Sequence, residues 1–468
     1  MRGGMAALLC AAALGCASVA IGQDRVPVNT RDEVIAPDAR ITDDPRRIPL
    51  RAVEPAGEVT ILAGGLVFDA VAATFAPGDV VLQDDRVRAV LPAGSADRPA
   101  GARIIDVAGR TVLPGLIDLH VHVTYPDRAT PYDLQASEGD GVLRGARNLH
   151  WMLESGITTV RDLNGVANAP YLLADASAAG TIPAPRVITA GHIITGTGGH
   201  ATERPVTPSH GPDFAWERDG ADAWRAAVRA TFKAGAGVIK VASHFARDEI
   251  AAAIEEAHRL GLRVTCDCET IYTDMAVAAG IDMVEHPLPR GPEAIAAMAR
   301  NGTAAVPTLQ VYQNLLDTAG GFWGSTSRRF TMTSQANFAI FRQMQAAGIV
   351  MGVGTDTIGN ANLQYPNNFI AELKWFVKGG YSIAGALQAA TLTNARLLDM
   401  EDRIGSLEPG KQADIVVIDG RPDQDLDALG NVDMVFRSGR LVVAAGQLVT
   451  PRHVPLPLAR PSPPEGAQ

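Results

Sequence analysis

The sequence has no basic excess: 41 Lys and Arg stand against 51 Asp and Glu, a formal charge of −10 with histidine neutral. A nucleic-acid partner is thereby excluded, because such binding needs a concentrated positive surface to displace phosphate counterions. Cysteine is scarce as well, with four in 468 residues. Cys10 and Cys16 fall in a leader segment read below as removed on export, and the remaining Cys266 and Cys268 cannot supply a disulfide framework. One residue apart on a strand, these two do not easily meet bridge geometry and read as small core residues facing the helices. Past the amino terminus no run is long and apolar enough to cross a bilayer. No Gly-rich phosphate turn follows the first strand of the alternating region, which counts against an open doubly wound nucleotide-binding sheet.

Apolar residues make up 47% of the chain and charged ones 20%, a balance that builds a large core. The 47 glycines and 30 prolines favour many short elements over long coiled coils. Residues 1–22 have one arginine, an Ala/Leu-rich stretch and Ala20-Ile21-Gly22 before Gln23. This is the pattern of a cleaved signal peptide, so the mature chain is expected to be periplasmic or secreted, without a membrane span. An uncleaved anchor is weakened by the Ala and Gly content, and lipidation at Cys16 by Ala13 standing where such signals usually have leucine. Residues 23–57 read as an extended lead-in and 450–468, with six prolines, as a tail.

Two pieces, 58–113 and 401–449, share a hairpin grammar: short apolar/polar alternations such as DDRVRAV, punctuated by Gly or Pro. Neither makes a convincing β domain alone, so the two are expected to pair as one small β-sandwich built from both ends of the chain. Between them, residues 114–400 alternate β-branched runs with Ala-rich helical stretches. Eight such runs, from GLIDLHVHV through GITTVRDL, PRVITAG, GVIKVAS, LRVTCDC, IDMVEH and TAAVPTL to IVMGVGTDT, predict an α/β fold with an inserted (β/α)8 TIM-like barrel.

His120 and His122 lie two apart in the first of these runs and therefore project to the same side, where both imidazoles can reach one cation at the barrel mouth. Alone, such a pair is as easily structural. Lys240 sits inside an apolar run, either snorkelling to the rim or serving as a desolvated amine that can capture carbon dioxide as a carbamate. His286 and Asp356 end the sixth and eighth runs, and five such residues on four of the eight runs point to a metal centre.

With these motifs in place the chain resembles the amidohydrolase superfamily of metal-dependent hydrolases, in the branch of imidazolonepropionase-like proteins and Xaa-Pro or Xaa-Arg dipeptidases. The resemblance runs from about Val59 to Gly446 and rests on LPGLIDLHVHV, SGITTVRDLNG, GTGGHA, VIKV, MVEH, VPTLQ, GVGTDT, ATLTNARLL and GSLEPGKQADIVVID in that order. It implies one or two divalent ions: His120 and His122 on the more buried one, N-carboxylated Lys240 bridging, His286 on the second. Asp356 ligates the first ion and handles protons. Zinc is the first expectation.

One position departs from the pattern. The fifth strand of the family ends in a histidine, and here GLRVTCDCET places Asp267 there. A carboxylate is harder and anionic, which opens the site to manganese, iron or another oxygen-preferring ion. With a carbamate, Asp356 and hydroxide it brings the ligand charge to that of two dications, a weaker Lewis acid; Glu269, on the same face, could substitute or assist. His200 in the Gly-rich loop, and Tyr125 and Arg128 soon after the paired histidines, are candidate substrate contacts. Arg161 and Asp162 read as an ion pair bracing the mouth. His150, His192, His210, His244, His258 and His453 receive no role, His258 reading as helix packing. The implied activity is hydrolysis of an amide-type C–N bond in a dipeptide, N-acyl amino acid or cyclic amide, with Asp356 as proton shuttle. The same centre also serves lactones and phosphotriesters, and a non-catalytic metal-stabilised binding protein stays open because of Asp267. A homo-oligomer is left open too.

Overall fold

The computed structural model describes residues 57–125, 137–202, 215–320, 332–357 and 365–449, all within the compact unit Asp44–Gln468. The expected signal peptide, nearly all of the lead-in, Arg128, His210 and the Pro-rich tail lie outside the described residues. Among the described residues, no helix is long and apolar enough to cross a membrane.

Two parallel sheets form the central region. Leu116–Val121 pairs with Ile157–Asp162, which pairs with Arg186–Thr189. Ile239–Ala242, Val264–Asp267, Met283–Glu285 and Ala304–Val306 follow in the same manner. The eighth expected strand is no regular strand. Residues 351–357 are held by isolated parallel bridges at both edges, Met351 to Ala305 and Thr357 to Val121, which link the seventh run back to the first. Crowding explains the irregularity: a Cβ on Gly354 would stand 2.9 Å from the His120 nitrogen, and one on Gly352 would stand 2.6 Å from the Leu119 side chain. Between the third and fourth runs, the Gly237 N–H donates to the Thr189 carbonyl at 2.9 Å. Two short strands absent from the sequence reading, Ile193–Thr195 and Ala215–Glu217, extend the second sheet at this edge.

Helices alternate with the strands because their apolar positions repeat at helical spacing. In Arg247–Arg259, Ile250, Ala253, Ile254 and Ala257 are buried, and the helix gives way to Gly261 with φ +77°. His258 is not packing in this helix. It is exposed, and its Nε2 lies 2.9 Å from Asp282.

Both ends of the chain meet in one nine-stranded sheet. Thr111–Pro114, from the first half, runs antiparallel to Ile415–Ile418, from the second, with Leu113 opposite Val416. Arg186, on the third barrel strand, ties the two regions together. Its buried guanidinium donates to Thr159 at 2.8 Å and to Asp414, beside Ile415, at 2.9 Å, and also to Gln412. Burial pushes the Asp414 carboxyl up, but Arg186, Arg437 and the Ser438 N–H outweigh it and hold the group below its usual value. Asp414→Ala leaves a buried cation without its counter-charge and is expected to destabilise the fold by about 3–5 kcal/mol, read as a lower urea midpoint.

Candidate metal centre

His120, His122, Lys240, Asp267, His286 and Asp356 converge at the carboxyl ends of five barrel runs. The Asp356 Oδ1 atom lies 3.1 Å from His122 Nε2 and 3.5 Å from His120 Nε2. Asp267 Oδ2 lies 3.2 Å from His286 Nε2 and 3.7 Å from Lys240 Nζ, and Lys240 Nζ lies 3.4 Å from His120 Nε2. The lysine therefore stands between two half-sites, one around Asp356 and one around Asp267. Among the described residues, His120, His286 and Asp356 each offer a ligand atom within 4.8 Å of the others.

Each histidine is oriented by a bond on its far nitrogen. His120 Nδ1 meets Glu285 Oε2 at 2.8 Å, His122 Nδ1 meets the Asn164 carbonyl at 3.0 Å, and His286 Nδ1 meets Thr308 Oγ1 at 2.8 Å. A carboxylate and a carbonyl can only accept, so the first two imidazoles carry their proton on Nδ1 and turn a lone pair on Nε2 toward the centre. That donor set fits a divalent cation. Two carboxylates and imidazole nitrogens with outward-bonded partners are what zinc, manganese or iron take.

Glu285 binds more than His120. Arg161 donates to it at 2.6 Å, the Thr265 hydroxyl donates to it as well, and all of these groups are buried. Arg161 is thus paired with Glu285 rather than with Asp162, correcting the sequence reading. Asp162 instead accepts from Val123 N–H and Thr189 Oγ1, and burial raises its carboxyl to about 6. Asp118, beneath the paired histidines, accepts from the His120 and Thr355 N–H groups and from Tyr365 at 2.5 Å; burial raises it to about 6.

The two carboxylates of the centre behave alike. Burial pushes Asp267 up, but His200, His286 and Lys240 together hold it well below the usual carboxylate range. Asp356 is likewise held low against its burial by a bond to His122 and by the nearby His286 and Lys240. Desolvation, reinforced by Lys240, keeps His120 well below its ordinary value, whereas Asp267 and Asp356 outweigh burial and raise His286. His286 and Asp356 have φ of +64° and +48°, a left-handed conformation that costs a branched or bulky residue about 1–2 kcal/mol. Backbone bonds hold both: His286 N–H to Val306 O at 2.9 Å and Asp356 N–H to His120 O at 2.7 Å.

Of the softer candidates, Tyr125 stacks on His122 with ring centroids 4.3 Å apart and accepts from Asn164 at 2.9 Å. Glu269 is buried and accepts from Ser243 Oγ at 3.0 Å. His200 reaches Asp267, its Nε2 lying 3.3 Å from Oδ2. Cys266 and Cys268 are both buried, as expected of small core residues, and their sulfurs are brought together. The strand stops at Asp267, and the turn beyond it brings the two Cα atoms to 5.3 Å, inside bridging range. Glu285, Asn164, Thr308 and Tyr312, whose ring lies 5.3 Å from that of His286, were not singled out from sequence. For Glu285 the signal was its place beside His286 at a strand end; for the others there was none.

The sequence profile described as the amidohydrolase family matches residues 111–442. A 5-methylthioadenosine/S-adenosylhomocysteine deaminase from Moorella thermoacetica is 32% identical over 127 residues, 23% of this chain and 30% of that protein. An imidazolonepropionase from Treponema denticola is 26% identical over 230 residues, 46% of this chain and 50% of that one. The chain thus spans half or less of the length of these relatives. A crystal structure of a Xaa-Pro dipeptidase with methionine bound in its active site is similar with TM-score 0.73 at 26% identity, over 82% of this chain and 99% of that one. A putative prolidase from Bifidobacterium longum gives 0.71 at 28%, over 85% and 97%.

Because Glu285 fixes the tautomer of His120 and neutralises Arg161, Glu285→Gln is expected to weaken divalent-ion binding about 10–100-fold in competition with a chelating indicator.

Proposed function

This chain belongs to the amidohydrolase family, and from that membership we propose that it is a metal-dependent hydrolase of amide-type C–N bonds in dipeptides, N-acyl amino acids or cyclic amides. The observation that carries the reading is the pair of half-sites bracketing Lys240, with Nε2 atoms turned inward around Asp356 and Asp267. His120, His122 and Asp356 would hold one ion, and Asp267 and His286 a second. Zinc suits the imidazoles, while manganese or iron suits the added carboxylate. When bound, such ions supply Lewis acidity toward a carbonyl and make water nucleophilic near neutral pH. Lys240 is proposed to react through its free amine with carbon dioxide, losing a proton, to give an anionic carbamate placed between the half-sites.

Asp356 has the proton-transfer role. It is held as a carboxylate by His122 and faces the centre, so it can accept a proton as water oxygen adds to the scissile carbon. The same proton then passes to the nitrogen as the C–N bond breaks, leaving a carboxylic acid and an amine. Tyr125, stacked on His122, and Tyr312, beside His286, would give substrate two aromatic walls. Similarity to the Xaa-Pro dipeptidase supports peptide-like substrates over lactones or phosphotriesters. Export is part of the proposal, and the leader-like residues 1–22 support it.

A screen of dipeptides and N-acyl amino acids is expected to find a substrate. On that substrate Asp356→Asn should lower kcat about 10²–10⁴-fold with the fold intact by circular dichroism. An Asp356→Asn enzyme as fast as the parent refutes the assigned proton path.

A further inference from the structure

The fifth barrel strand supplies a carboxylate, Asp267, and the remaining imidazole of that half-site, His286, comes from the sixth. We propose that His200, from the Gly-rich loop after the third strand, is a third ligand of the second cation, so that this half-site consists of His200, Asp267 and His286. The inference rests on the two-ion reading above.

His200 Nε2 and His286 Nε2 approach the same oxygen, Asp267 Oδ2, at 3.3 and 3.2 Å. Two imidazole nitrogens and one carboxylate oxygen are the donor types that a borderline divalent ion takes.

The loop is built to deliver that imidazole. His200 N–H donates to Ser243 O at 2.6 Å and Gly196 N–H to His244 O at 2.7 Å, stitching the loop to the end of the fourth strand. Thr197 N–H bonds Asp219 at 3.0 Å and Gly198 N–H bonds Glu217 at 2.8 Å, fixing the other side. Gly198 has φ +74°, and a Cβ on Gly199 would stand 2.6 Å from the His244 nitrogen and 2.9 Å from the Gly196 carbonyl. Those glycines let the loop lie close enough for a side chain two or fewer residues on to reach Asp267.

The test is metal content and affinity, not turnover. The purified full chain, stripped and then loaded with Zn²⁺ or Co²⁺, is analysed for ions per chain, stepwise affinity and the Co²⁺ visible spectrum. The parent should hold two ions. His200→Ala should keep the first at parental affinity and weaken the second by more than the ~10–100-fold cost of losing an outer partner. Asp267→His combined with His200→Ala should regain the second ion, which separates ligand loss from misfolding. If His200→Ala binds both ions as the parent does and only KM for a substrate rises, His200 is a substrate contact and the proposal falls. A parent that saturates at one ion overturns the two-ion reading itself, a result distinct from a two-ion parent indifferent to His200.

Discussion

The carboxylate of Glu285 is the constraint on which the centre depends. It lies fully buried at the end of the sixth strand and receives His120 from the first strand, Arg161 from the second and Thr265 from the fifth. Four barrel runs therefore meet on two oxygen atoms. An unpaired carboxylate there would be costly to bury, and so would an unpaired guanidinium; together, with hydrogen bonds on both oxygens, they are tolerable and geometrically exacting. The result for function is local: His120 has one tautomer and one ring orientation, and its Nε2 faces the cation position.

From that anchor the rest of the centre is arranged by strand ends. His122 is braced by the Asn164 carbonyl, His286 by Thr308, and Asp356 by its backbone bond to the first strand. Positive φ at His286 and Asp356 marks where the chain leaves the strand direction to aim a ligand inward. Arg290, buried and lowered by that burial to about 10, donates to the His286 carbonyl at 2.7 Å and steadies the turn. Conformational cost is thus concentrated at residues of the centre, and bonds from rigid elements hold it there.

Much of this was legible in the residues. His120 and His122 share a face because strand side chains alternate, and Lys240, His286 and Asp356 stood out as polar groups closing apolar runs. Pairing of the two chain ends followed from their common hairpin grammar. What could not be read was anything decided by a loop path or a long-range partner. The reach of His200 to Asp267 depends on how a glycine loop crosses the fourth strand, and the pairing of Arg161 with Glu285 rather than its neighbour Asp162 depends on barrel register. The approach of Cys268 to Cys266 depends on the strand ending at Asp267, where side-chain alternation stops. The β-branched pattern of the eighth run reads as a strand, whereas Gly352 and Gly354, lacking side chains, let the first strand press close.

The central claim is that a cation held by these side chains drives C–N hydrolysis. It is tested most directly by stripping the protein with a chelator and titrating zinc back while following amine release from a substrate of the screen. The account predicts no turnover by the stripped protein and a rate that rises in proportion to bound ion until the site is full. Turnover by the stripped protein as fast as that of the loaded protein would contradict it.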